Sequence, residues 1–132
     1  MSAPPVVAPV TRRIDQARVE AYAHAARDWN PIHTDRAAAA AGPFGQPVAH
    51  GMLVLALVSD AMTAAFGERW AAGGTLKVRW RAPALQPVDV TAVVTLRRCE
   101  GGVATYDVSC HNAAGEQLLS GTATVPWDDA AP

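Results

Sequence analysis

The hydrophobic period of this chain changes at Gly73-Gly74. Before that point apolar residues recur at helical spacing, and after it they alternate with polar residues, which is typical of strands with one wet face. The four alternating runs cover residues 76–80, 88–96, 103–110 and 117–125. The last three are separated by short turns, at 101–102 and 112–115, so we predict consecutive hairpins and an antiparallel sheet.

The first half of the chain has one segment apolar enough to cover such a sheet. This is the stretch 48–66, which predicts a buried helix that begins at Pro47 or His50 and ends at Gly67. Residues 11–27 have the spacing of an amphipathic helix. We therefore predict an α+β fold in which a curved sheet wraps around one long helix.

Shorter features fill the space between the two predicted helices. Asn30-Pro31 ends the first helix, because proline disfavours a helical residue before it, and 28–33 is predicted to be a turn. The alanine-rich run 35–41 predicts a short helix with Thr34 as its cap. We expect one domain over 1–132, with an ordered core of about 10–126 and a frayed tail at 128–132.

Composition excludes several classes of function. The net charge of −1 argues against nucleic acid or an anionic membrane as the main partner. The long apolar stretch is interrupted by polar residues and does not resemble a membrane span, and residues 1–10 lack the pattern of an export signal. We therefore expect a cytoplasmic protein in which Cys99 and Cys110 are reduced packing residues.

Asp28, Asn30 and His33 lie close together around one proline. A carboxylate and an imidazole five positions apart can contact one water if the chain bends back, which gives a general base and a general acid on the same molecule. The residues alone also allow a simpler interpretation, in which Asp28 caps a helix and His33 lies at the surface.

A second polar motif, Ala49-His50-Gly51-Met52, leads into the long helix. Free N–H groups and the positive end of the helix dipole favour negative charge there, so an attacked thioester carbonyl would be stabilised. Gly51 would let a ligand approach the backbone closely. The alternative is that Gly51 is needed only for tight packing.

These two motifs resemble the (R)-specific enoyl-CoA hydratase signature of the MaoC-like dehydratases. The matching segments are Tyr22-Ala23, then Arg27-Asp28-Trp29-Asn30-Pro31-Ile32-His33-Thr34-Asp35, then Ala49-His50-Gly51-Met52-Leu53. Residues 78–83 resemble a third family segment, and the resemblance covers the chain from about Thr11 to Val125. It implies the hotdog fold and syn addition of water to a trans-2-enoyl thioester, or the reverse elimination.

The resemblance also implies roles for individual residues. Asp28 would act as base toward the water, His33 would hold the water and help to deliver a proton to the α-carbon, and Asn30 would orient both. The Gly51 N–H would bind the thioester oxygen, and His50 would belong to the binding site without an assigned role. We expect Trp29 to remove water from around Asp28. The acyl tail is expected to contact Trp29, Phe44, Val48, Met52 and Leu55. Arg27 departs from the family, which commonly has glycine there, and this leaves substrate preference open.

The resemblance implies an acyl thioester of coenzyme A or of acyl carrier protein as substrate, and no cofactor. No metal is expected, since the sequence has no Cys/His cluster with ligand spacing. Family members usually pair, so a homodimer is expected, with a heterodimer as the other possibility. Two alternative functions are a non-catalytic hotdog subunit of a heterodimeric dehydratase and a hotdog thioesterase. The acyl chain and the physiological direction stay open.

Overall fold

The computed structural model of the chain describes residues 2–128 and contains a five-stranded antiparallel sheet and five helices. The strands are β1 (Val10–Ile14), β2 (Thr75–Trp80), β3 (Val88–Glu100), β4 (Val103–Asn112) and β5 (Gln117–Pro126). The helices are α1 (Gln16–Ala26), α2 (Pro31–Thr34), α3 (Arg36–Ala40), α4 (Gly51–Phe66) and α5 (Glu68–Gly73). The strand order across the sheet is β1-β3-β4-β5-β2.

Helix α4 is the central helix against which the sheet packs. It contacts β1, β3 and β4, and it begins and ends within the predicted limits. Its buried residues are Val54, Leu57, Val58, Ala61, Met62 and Phe66. The inward residues of the strands complete the core, with Tyr106 and Leu119 fully buried. The predicted α+β architecture, a sheet around one long apolar helix, is confirmed.

The prediction of a helix over residues 11–27 is wrong at its start. Residues Val10–Ile14 form β1, which pairs with β3 so that Ile14 lies opposite Val88. Helix α1 begins only at Gln16, because the Asp15 side chain accepts a hydrogen bond from the Arg18 N–H at 2.9 Å and caps the helix. Three exposed residues in a row within β1 hide its alternation in the sequence.

Two further local predictions need correction. The short alanine-rich helix is α3, and its cap is Asp35, whose side chain accepts hydrogen bonds from the Ala37 and Ala38 N–H groups at 2.9 and 3.1 Å. Thr34 instead ends α2, a one-turn helix within the segment predicted to be a plain turn. A free carboxylate next to the first amides of α3 is the better acceptor.

The hairpins β3-β4 and β4-β5 are confirmed, whereas β2 lies next to β5 and not next to β3. Strand β3 also extends beyond the predicted run to Glu100. Cys110 is buried as a packing residue, but Cys99 near the end of β3 is exposed.

The segment before β1 packs against the core. Val7 is buried, and the Tyr106 hydroxyl donates a hydrogen bond to the Pro5 carbonyl at 2.8 Å. Beyond Asp128 the predicted frayed tail lies outside the described residues, and the extent of the domain stays a prediction. Within residues 2–128 no helix is long and apolar enough to cross a membrane.

Candidate active site

Asp28 follows directly on the end of α1. Arg27 closes that helix with a φ of 56°, in the left-handed region that favours glycine, which explains why a glycine would suit this position. The Asp28 N–H donates to the Ala23 carbonyl at 3.1 Å. The carboxylate accepts a hydrogen bond from the Asn30 N–H at 3.3 Å and is 50% exposed, so it faces solvent in the single chain.

Asn30 holds the turn together through two separate groups. Its backbone N–H contacts the Asp28 carboxylate, and its side-chain oxygen accepts a hydrogen bond from the Ile32 N–H at 3.2 Å, which caps α2. The side chain is therefore occupied with the helix start, and Asn30 contacts the Asp28 carboxylate through its main chain. The orienting role expected of Asn30 stays a prediction.

His33 lies in α2 and is only 9% exposed. Its Nδ1 lies 2.6 Å from the Val48 carbonyl oxygen. Because a carbonyl oxygen can only accept, Nδ1 carries the proton, and in the neutral ring Nε2 has a free lone pair. The surface alternative for His33 is therefore wrong: a buried backbone contact fixes which nitrogen can accept a proton.

His50 joins the two motifs. It is the N-cap residue of α4, is 2% exposed, and donates from Nε2 to the Asp28 backbone carbonyl at 3.0 Å. The same nitrogen lies 4.0 Å from an Asp28 carboxylate oxygen. Its ring stacks on the His33 ring with centroids 3.9 Å apart, and the centroid of the tilted Tyr22 ring lies 4.8 Å away.

The fold thus brings one carboxylate and two imidazoles together. One carboxylate oxygen of Asp28 and one ring nitrogen each of His33 and His50 lie within 4.8 Å of one another. These atoms are close enough to hold a metal ion. The hydrogen bond from His33 Nδ1 to Val48 leaves Nε2 free and is the support that metal-binding histidines usually have, whereas His50 Nε2 would have to give up its hydrogen bond to the Asp28 carbonyl. The prediction that no metal binds stays a prediction.

A mainly apolar cavity of about 360 Å³ adjoins this cluster. His33 lies in its wall, and Gly51 brings the N-terminus of α4 into it. Other lining residues are Phe44, Val48, Val54, Trp80 and Leu118. A larger cavity of about 720 Å³, lined in part by Arg36 and Gln86, contains none of the three clustered residues.

Of the five residues predicted to contact the acyl tail, Phe44 and Val48 line the 360 Å³ cavity, whereas Trp29, Met52 and Leu55 lie elsewhere in the single chain. Trp29 is 50% exposed and packs edge-on against His24, with ring centroids 4.3 Å apart, so Asp28 stays half exposed beside it. Met52 is 52% exposed, and Leu55 packs against the core. None of the three lines the 360 Å³ cavity, and their contact with a ligand stays a prediction.

Trp80, which was predicted only to lie in a strand and in the third family-like segment, lines the cavity. A Cβ built on Gly51 would lie 2.7 Å from the Trp80 Nε1, which is too close for any side chain. The packing interpretation of Gly51 therefore has a physical basis in this contact. It does not exclude ligand binding, because the first N–H groups of a helix have no acceptor within the helix.

Comparison with known proteins agrees with the fold. A family model described as the MaoC like domain matches residues 3–116. The chain is 30% identical over 122 residues to an (R)-specific enoyl-CoA hydratase of Aeromonas caviae, with 88% of each chain covered. It is 42% identical over 74 residues to the 3-hydroxyacyl-thioester dehydratase Z of Mycobacterium tuberculosis, covering 53% of this chain and 49% of that relative.

Among solved structures, the (R)-hydratase from A. caviae involved in PHA biosynthesis superimposes with a TM-score of 0.79. The two chains are 27% identical, and the match covers 94% of this chain and 97% of the other. The hotdog fold expected from the resemblance is thereby confirmed. The family model matches most of the length of this chain, which therefore belongs to the MaoC-like family of hydratases and dehydratases.

Proposed function

We propose that this protein adds water to a trans-2-enoyl thioester, or removes it from an (R)-3-hydroxyacyl thioester, with Asp28 and His33 as the acid–base pair. The observation that carries the proposal is the approach of the Asp28 carboxylate to the His33 imidazole, beside an apolar cavity that reaches the N-terminus of α4. The names of the relatives support the choice of reaction.

The proposed chemistry follows from the protonation of His33. Neutral His33 offers Nε2 as an acceptor, because Nδ1 donates to Val48. A water held between this nitrogen and the Asp28 carboxylate gives one proton to Asp28 while its oxygen bonds to the β-carbon, and Asp28 passes that proton to the free lone pair of His33 Nε2. The proton then returns to the α-carbon through His33. Because one pair serves both carbons from one side, the addition is syn.

The thioester oxygen gains negative charge when the β-carbon is attacked. We propose that this oxygen lies at the start of α4, where the Gly51 N–H and the helix dipole stabilise the charge. The apolar wall formed by Val48, Val54 and Leu118 would then receive the acyl chain. A thioesterase would instead direct water to the carbonyl carbon, away from the Asp28–His33 pair.

The substrate is proposed to be a thioester of coenzyme A or of acyl carrier protein. We propose a homodimer, in which a second copy covers a sheet edge and encloses the half-exposed Asp28. A catalytically silent subunit in a heterodimer is the alternative. We also propose a cytoplasmic location, where the free thiols of Cys99 and Cys110 would stay reduced.

The test is direct assay of hydration with crotonyl-CoA, longer enoyl-CoAs and crotonyl-acyl carrier protein, following loss of the enoyl-thioester ultraviolet absorbance. Asp28→Asn and His33→Ala are each expected to lower kcat/KM by about a hundredfold or more, because each removes a group that moves a proton. The matched controls are Asp60→Asn, at an exposed position of α4, and His111→Ala on β4, and both are expected to retain activity.

Two results would contradict the proposal. A folded wild-type protein that hydrates none of these thioesters would favour the silent-subunit alternative. Full activity in both Asp28→Asn and His33→Ala would show that the reaction does not use this pair. Circular dichroism of each variant separates loss of chemistry from loss of folding.

A further inference from the structure

The Asp28 backbone is fixed at both of its polar groups. Its N–H donates to Ala23 in α1, and its carbonyl accepts from the His50 ring in α4. Across residues 2–128, no other group donates to that carbonyl. The direction of the Asp28 carboxylate therefore depends on a side chain that is distant in sequence and not on its own turn alone.

His33 depends on the same side chain in a different way. Its Nδ1 is held by Val48, which leaves the ring free to rotate about that contact unless a neighbour blocks its face. The His50 ring stacks on that face at 3.9 Å, with 28° between the ring planes. His50 thus holds one member of the proposed pair by a hydrogen bond and the other by ring packing.

Packing alone does not explain a histidine at position 50. The ring is 2% exposed, and its Nδ1 has no hydrogen-bond partner in the part of the chain that the structure describes. Leaving a buried polar nitrogen unpaired costs free energy, and an apolar side chain would avoid that cost. What the imidazole provides in return is the hydrogen bond from Nε2 to Asp28 and the flat ring that stacks on His33.

We propose that His50 is a positioning residue that sets the separation and orientation of Asp28 and His33. This inference rests on the hydratase function proposed above. His50 does not contact the substrate, because almost none of its surface is accessible. It acts through the Asp28 carbonyl and the face of the His33 ring.

If His50 only positions the pair, its replacement should lower kcat and leave KM nearly unchanged. Replacing His50 by leucine removes the hydrogen bond and the flat stacking surface, so the pair is misplaced, and kcat is expected to fall roughly ten- to a hundredfold. The KM is expected to change little, since no ligand contact is lost. His50→Gln places an amide N–H near the position of Nε2 and is expected to recover most of kcat.

The controls are the same changes at a histidine outside the site. His111→Leu and His111→Gln, on β4, are expected to leave kcat unchanged. Thermal unfolding of every variant identifies losses that come from instability alone. A folded His50→Leu variant with wild-type kcat would overturn the proposal, and so would a His50→Gln variant as impaired as His50→Leu.

A second measurement does not depend on turnover. Long-range ¹H–¹⁵N spectra of the histidine rings report which nitrogen carries the proton, and we expect His50 protonated at Nε2 and His33 at Nδ1. In His50→Leu the His33 resonances should shift and broaden as its ring gains freedom. A His50 ring protonated at Nδ1 would overturn the proposal even in an active enzyme. If the wild type lacks hydratase activity while these spectra agree, the proposed function fails and the positioning contact stands.

Discussion

Replacing Gly51 by alanine is expected to destabilise the protein, because the added methyl group would clash with the Trp80 side chain. The new Cβ would lie 2.7 Å from the indole Nε1 and 3.1 Å from Cε2, so the indole must move. Forcing one extra methyl into such a contact costs about 1–3 kcal/mol. Alanine is better than glycine within a helix by up to about 1 kcal/mol. With a steric cost near the middle of that range, about 2 kcal/mol, the expected net loss is about 1–2 kcal/mol, measured by urea unfolding followed by circular dichroism.

A double-mutant cycle with Trp80→Ala tests the cause. Once the indole is absent, Gly51→Ala meets no clash and is expected to be neutral or to stabilise by up to about 1 kcal/mol. The sign of the effect should therefore reverse between the two backgrounds. Equal effects in both backgrounds, with a coupling energy below about 0.5 kcal/mol, would refute the steric argument.

The same double variant separates the two interpretations of Gly51. If Gly51→Ala in the Trp80→Ala background is stable and hydrates as well as Trp80→Ala alone, the glycine serves packing. If it is stable but has lost kcat relative to that background, the ligand must approach the backbone at this residue.

Three further outcomes are expected. Arg27→Gly should stabilise the protein by about 0.5 kcal/mol, measured by urea unfolding. Arg27 has a left-handed backbone conformation, and the strain that glycine relieves there slightly exceeds the entropy that glycine adds to the unfolded chain. A lower urea midpoint for the variant would contradict this. In native protein an aromatic disulfide reagent should modify the exposed Cys99 at once, while burial raises the pKa of Cys110 to about 11 and protects it until denaturant is added. Burial raises the pKa of Tyr106 to about 12, from an unfolded value near 10, so the stability it contributes is present below pH 10 and lost as the pH rises to 12. Phenolate absorbance of a Tyr22→Phe variant, which isolates Tyr106, checks that value.

The strands in the second half of the chain were predictable because apolar and polar residues alternate along each of them. This alternation shows which face of a strand is buried from the residues of that strand alone. In β3, β4 and β5 the buried residues fall mainly at every second position, and in β2 two half-buried residues alternate with exposed ones. Helix α4 was equally predictable, because a long apolar stretch must be buried by other parts of the protein wherever it lies in the chain. Capping residues were less certain, because Thr34 and Asp35 are adjacent and both can accept from an amide.

The first strand was not predictable by the same means. In β1 a buried residue at one end follows three exposed ones, and only pairing with β3 makes the segment extended. The prediction from sequence therefore extended helix α1 wrongly into the residues that form β1. The position of β2 beside β5 is also decided by the tertiary structure, because it depends on the path of the chain around α4.

The sequence by itself determined which residue types lie in the candidate site, since both motifs are local and each contains its own turn or helix start. Tertiary structure alone decided how the motifs meet. It places His50 between Asp28 and His33, fixes the two imidazole tautomers by backbone carbonyls, and puts Trp80 against Gly51. Hydrogen bonds and ring contacts between distant segments have no period in the sequence, so their partners appear only when the chain is folded.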